Sequence, residues 1–114
     1  MARGRFPGEL EQIVLLALAG AEGEASGRDV YEAVTSLTGR EVSVAAVHIT
    51  LGRLHEKGWA TCVTRSPQPH EGGKPRRRYA LAPAGAETLA ELRAQTERLW
   101  SRALTNPLFG DAGR

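Results

Sequence analysis

The segment Ser43-Val44-Ala45-Ala46-Val47-His48-Ile49-Thr50-Leu51-Gly52-Arg53-Leu54-His55-Glu56-Lys57-Gly58 reads as a capped helix with two unlike faces. Val44, Val47, Leu51 and Leu54 recur at spacings of three, four and three, the period of a helix with one buried stripe. Ser43 stands where a hydroxyl caps such a helix, and Gly58 stands where one stops. With the stripe inward, Ala45, Ile49, Gly52, Arg53 and Glu56 face outward, flanked by Ala46 and His48. Small outer residues over the first turns let another backbone approach closely, as a helix entering the DNA major groove requires.

Upstream, residues 8–20 place Leu10, Ile13, Val14, Ala17 and Leu18 at helical intervals, with Glu9 and Glu11 near the favourable end of the helix dipole. Residues 20–25 break that pattern. Ser26-Gly27-Arg28-Asp29 then gives an N-cap serine with an acid three residues on. A second helix follows, with Val30, Tyr31, Val34 and Leu37 inward and Gly39 as its stop. Downstream, residues 59–66 turn β-branched and alternating, which predicts a strand. The turn-rich residues 67–75 separate it from a second strand, Arg77-Arg78-Tyr79-Ala80-Leu81, so the two form a hairpin. Pro83 suits the first turn of a last helix, from Ala84 to Leu104, which Asn106-Pro107 ends. The expected fold is mainly α with a β-hairpin wing: a winged helix-turn-helix over residues 1–83, a C-terminal dimerisation helix over 84–105 and a tail over 106–114.

The 114 residues carry a net charge of only +2, too little by itself to imply a polyanionic partner. Its distribution is more informative. Residues 65–78 hold Arg65, Lys74, Arg76, Arg77 and Arg78 against the single acid Glu71, so this segment carries +4 and the rest of the chain −2. One concentrated basic segment on a slightly acidic body is what electrostatic contact with a polyanion needs, a solvated basic loop being the alternative. A lone cysteine, Cys62, excludes an internal disulfide or a multi-thiolate zinc site and reads as packing. The longest apolar run, residues 13–19, is too short for a bilayer, and the N-terminus lacks a signal-peptide core, so a cytoplasmic protein without membrane contact is expected. His48 and His55 lie roughly 10 Å apart along their helix, too far to share a metal. No phosphate loop or nucleophile elbow appears. Neither a catalytic residue nor a metal or cofactor is expected.

The candidate DNA-binding residues are Ser43, Ala45, Ala46, His48, Ile49, Arg53 and Lys57 on the third helix and Lys74, Arg76 and Arg78 on the hairpin. The Ser43 hydroxyl suits a phosphate, Ile49 a thymine methyl, and His48 a base edge or phosphate. Arg53 and Lys57 either contact the DNA backbone or pair with acids, and Ala45, Ala46 and Ile49 could instead pack within the protein. The tip Gly72-Gly73-Lys74 tracks phosphates or dips into a minor groove, while Arg76 and Arg78 share one strand face and Arg77 takes the other. On the last helix, Leu89, Leu92, Thr96, Leu99, Trp100 and Ala103 form an apolar stripe that predicts self-association, folding back on the protomer's own core being the compatible alternative. A twofold dimer would set two recognition helices about one DNA turn apart, on a palindromic site. The rival class is a winged helix used for protein contact without DNA, which would not call for the arginine cluster.

Three stretches also resemble one family, the PadR-like transcriptional regulators. Gly8-Glu9-Leu10-Glu11-Gln12-Ile13-Val14-Leu15-Leu16-Ala17-Leu18 is similar to the family's first helix, and residues 39–58 to its turn and recognition helix. Gly72-Gly73-Lys74-Pro75-Arg76-Arg77-Arg78-Tyr79-Ala80-Leu81-Ala82-Pro83-Ala84-Gly85 is similar to its wing and the start of its last helix. The resemblance implies a homodimeric repressor, paired through the C-terminal helix, that binds double-stranded DNA near the genes it controls and is released by a small aromatic or lipophilic effector. His48 stands where the family commonly has tyrosine, and Ala82 where it has a capping threonine. By the same resemblance Trp100 is the effector-stacking candidate, with Phe6 in its neighbourhood, although packing at the dimer interface accounts for Trp100 equally well.

Overall fold

The computed structural model describes residues 6–67, 70 and 72–110. The readings made on Gln68, Pro69, Glu71, the extreme N-terminus and the last four residues lie outside that set. The elements run α1 (Glu9–Ala19), β1 (Ala25–Ser26), α2 (Gly27–Thr38), α3 (Val44–Glu56), β2 (Ala60–Arg65), β3 (Arg76–Leu81) and α4 (Pro83–Ala103), followed by a 3-10 turn over Pro107–Phe109. This is the expected mainly helical fold with a wing.

The local signals produce the expected ends. Ser26 accepts from the Asp29 N–H at 3.0 Å while the Asp29 carboxylate accepts from the Ser26 N–H at 3.2 Å, a reciprocal box that starts α2. Gly39 ends α2 in the left-handed region at φ 69°, where a side chain would be strained. Ser43 caps α3 by accepting from the Ala46 N–H at 3.0 Å. Ala82 precedes α4 without a side-chain cap, and Pro83 supplies the fixed φ of the first turn.

The core joins Val14, Leu15 and Leu18 of α1, Val30 and Val34 of α2, and Val47, Leu51 and Leu54 of α3 to Trp59, Ala60 and Tyr79 of the wing. Leu15 falls off the periodic stripe read for α1, yet it is fully buried, because α1 touches α2, α3, β3 and α4 and so has more than one covered face. Thr50 is also buried, its hydroxyl donating to the Ala46 carbonyl at 2.8 Å. Leu37 corrects the sequence reading: it is 81% exposed, since the last turn of α2 runs past the edge of the core.

The sheet has three strands, in the order β1-β3-β2, all antiparallel. The two-residue β1, Ala25↔Tyr79 and Ser26↔Arg78, was not expected, because two residues cannot show alternation and their pairing depends on the free edge of β3. β3 also begins at Arg76, one residue before the sequence reading, because Arg76 pairs with Arg65. The wing tip carries Gly72 at φ 65° and Gly73 at φ 85°, a reversal that favours glycine at both positions.

α4 begins with a close approach to the body. Gly85 is its one buried residue, and a Cβ there would overlap the Trp59 carbonyl oxygen. From there the helix runs on past the core, and the described molecule measures 59 × 33 × 22 Å. Among the described residues no helix is long and apolar enough to cross a membrane.

Candidate nucleic-acid interface

Helix α3 presents Ala45, His48, Ile49 and Arg53 to solvent, with Ala46 half-covered. Ile49 is 58% exposed, so packing within the protomer does not occupy it. The Ser43 oxygen is engaged as a cap acceptor, which leaves its hydroxyl proton available to donate.

Lys57 takes the acid-pairing option. Its ammonium lies 2.9 and 3.1 Å from the two Glu11 carboxylate oxygens and 5.1 Å above the Trp59 ring, tying the end of α3 to the start of α1. Burial pushes the Glu11 carboxyl up, but the hydrogen bonds from Lys57 and the Gly8 N–H, with the charges of Lys57 and Arg53, outweigh it and hold the group below its ordinary range.

The wing divides its arginines between two jobs. Arg65 grips Glu24 through Nε at 3.1 Å and Nη2 at 2.6 Å, and Arg78 Nη2 donates to the Glu24 carbonyl at 3.1 Å. The Arg65 hydrogen bond lowers the Glu24 pKa, and Glu24 raises that of Arg65. Arg65 and Arg78 thus fasten the wing to the segment before β1. Lys74, Arg76 and Arg77 are exposed.

Strand alternation places Arg77 on the same face as the buried Tyr79, and that face looks toward the helices. Arg77, Arg76 and Tyr79 line a cavity of about 440 Å³ together with Ser26, Gly27 and Arg28 of the α2 start and His48 of α3. Arg28 also reaches Glu32 at 3.4 Å, an exposed pair. The sequence reading chose Arg76 and Arg78 and passed over Arg77 and Arg28. Counting back two residues from a buried Tyr79 would have found Arg77. Nothing local to α2 pointed to Arg28, because its neighbours across the cavity are distant in sequence.

Helix α4 divides similarly. Leu89 packs on the protomer's own core, and Leu92 and Thr96 are half-buried. Further along, Leu99 is 69% and Trp100 54% exposed, and Ala103 is exposed. The 3-10 turn brings Phe109 to 5.8 Å from the Trp100 ring, at a tilt of 60°. Phe6 is half-buried. Beside α4, a groove of about 340 Å³ runs between Gln12 and Leu16 of α1 and Leu89, Arg93 and Thr96 of α4. On the far side of Leu16, a smaller apolar groove includes Ile13, Ala33 and Leu37. Among the described residues no group of His, Cys, Asp or Glu is arranged to hold a metal ion.

No protein-family model and no curated protein sequence matches the chain. Solved structures do. A PadR-like transcriptional regulator from Bacillus cereus superposes with a TM-score of 0.67 at 20% identity, over 90% of this chain and 93% of that one. Bacillus subtilis PadR in complex with operator DNA gives 0.62 at 21% identity, over 73% of this chain but only 46% of that one. The Aeropyrum pernix Orc1 protein in complex with DNA gives 0.61 at 25% identity, over 76% of this chain and 25% of that much longer one. The near-complete mutual coverage with the first of these identifies the fold as that of the PadR-like winged-helix transcriptional regulators.

Proposed function

We propose that the chain is a DNA-binding transcriptional regulator, a repressor that grips a palindromic duplex as a homodimer and is released by a small aromatic or lipophilic effector. One observation carries the DNA-binding part: His48 of the recognition helix and Arg76 and Arg77 of the wing line one cavity, so both elements present their contacts on one side of the molecule. That side holds cations and small residues, whereas Arg65 and Arg78 are spent on Glu24. Bacillus subtilis PadR, solved on operator DNA, shares the fold and supports this reading.

The dimer reading rests on apolar surface that stays exposed among the described residues. Leu99 and Trp100 on α4, Leu16 on α1 and Leu37 on α2 are exposed together with Leu108, which is 93% exposed. A second copy's α4 laid across its twin would cover them. The effector reading rests on the half-exposed Trp100 ring beside Phe109, which offers a flat surface to a planar compound.

Fluorescence anisotropy with the best duplex that the protein selects from a random pool tests the reading. Affinity should fall steeply with salt, and the double variant Arg76→Glu, Arg77→Glu should lose about tenfold or more on every sequence alike, because phosphate contacts carry no sequence information. Binding indifferent to salt and to both charge reversals would instead support a module for protein contact.

A further inference from the structure

Gly27 is a glycine without a backbone reason. It opens α2 with an ordinary helical φ, unlike Gly39, Gly72 and Gly73, whose left-handed conformations favour the residue. It is nevertheless buried, and what buries it is the His48 ring. A Cβ on Gly27 would overlap His48 Cε1 and come within 2.8 Å of Nδ1 and 2.9 Å of Nε2. No other atom stands among the three nearest to that position, so the imidazole lies directly against the Gly27 backbone.

We propose that Gly27 is a positioning residue of the DNA interface: its missing side chain seats the His48 ring against α2, where the ring closes the cavity shared with Arg28, Arg76 and Arg77. This rests on the DNA-binding reading and adds a specific ligand, one phosphodiester group of the duplex backbone. The cavity, at about 440 Å³, accommodates a phosphate with its hydrating water, and Arg28, Arg76 and Arg77 among its lining residues suit that anion, Arg28 also reaching Glu32 at 3.4 Å. His48 supplies ring nitrogens at the boundary between this cavity and the outer face of α3. The ring can therefore hold the phosphate and, through it, fix how deeply α3 enters the groove. An alanine at 27 would push the ring off α2 and into the space the phosphate needs.

The contact is with the end of a side chain that can rotate, not with rigid backbone, so Gly27→Ala should fold. Its thermal midpoint should hold or rise, since alanine is the better helix former. On the duplex selected by the wild-type protein, Gly27→Ala should bind about tenfold more weakly, the size of one lost contact. His48→Ala should lose about as much, and Gly27→Ala added to His48→Ala should lose nothing further, because the ring it displaces is gone. Loss of a merely structural glycine would instead lower the thermal midpoint and persist in the His48→Ala background.

Wild-type affinity in Gly27→Ala, or full additivity of the two substitutions, would overturn the proposal. Should Gly27→Ala fail to fold, the double variant with His48→Ala decides: recovery of folding once the ring is gone upholds the seat, and failure to fold without the ring ends it. A wild-type protein that binds no duplex in a salt-dependent way would remove the DNA-binding reading itself and this inference with it.

Discussion

At the scale of single residues, two glycines make opposite predictions. A side chain at Gly27 meets a mobile ring, whereas at Gly85 it meets the Trp59 carbonyl, which is held by the Ala82 N–H at 3.0 Å. Gly85→Ala should therefore destabilise the fold by about 2 kcal/mol, as overpacking against fixed backbone does; chemical denaturation measures it, and an unchanged midpoint would mean that α4 docks less rigidly than its geometry implies. The carboxyls of Glu11 and Glu24 both titrate lower in the folded chain than the ordinary 4.5, so folding favours their ionised forms. Their contribution is complete above that ordinary value and is lost as pH falls through the lowered ones. The difference in thermal midpoint between wild type and Glu11→Gln should shrink from about pH 7 to about pH 3, and a gap that stays constant would place the effect elsewhere. The caps Ser26 and Ser43 were legible because donor and acceptor sit three residues apart. The Lys57–Glu11 and Arg65–Glu24 pairs were not, because they join positions 46 and 41 residues apart that only the fold brings together.

At the scale of elements, the wing and α4 each serve two purposes that the sequence pattern merges. The run Arg76-Arg77-Arg78 looks uniform as a string, but strand alternation puts Arg77 on the Tyr79 face and Arg76 and Arg78 on the other, where Arg78 is held by the Glu24 carbonyl. The short β1 depends on β3 for its pairing, so no window around Ala25 could reveal it. The stripe of α4 is continuous in sequence, yet its first part, at Leu89, packs on the body while Leu99 and Trp100 stand in solvent. Substitutions should separate the two parts. Leu99→Asp is expected to give a folded monomer with unchanged circular dichroism, seen by light scattering, because the residue touches little of its own protomer. A dimer that survives Leu99→Asp would move the interface away from this part of α4. Helix boundaries, by contrast, were readable to within a residue or so, because caps, Pro83 and Gly39 act locally.

For the whole molecule, the small net charge of +2 conceals a sorted surface. Arg28, Arg76 and Arg77 line one cavity with His48 of α3, while Leu16 of α1, Leu37 of α2 and Leu99 and Trp100 of α4 leave apolar surface exposed. One face suits a polyanion and the other a second copy of the chain, and a twofold assembly would use both at once. The sequence displayed the charge segment and the terminal stripe, but which side each occupied followed only from packing. Central to this account is that the sorted cationic face binds duplex DNA. Its most direct test is the equilibrium affinity for the selected duplex across a series of salt concentrations: the account predicts a steep linear fall of log affinity with log salt that flattens in the Arg76→Glu, Arg77→Glu variant, and an affinity independent of salt and of both arginines would contradict it.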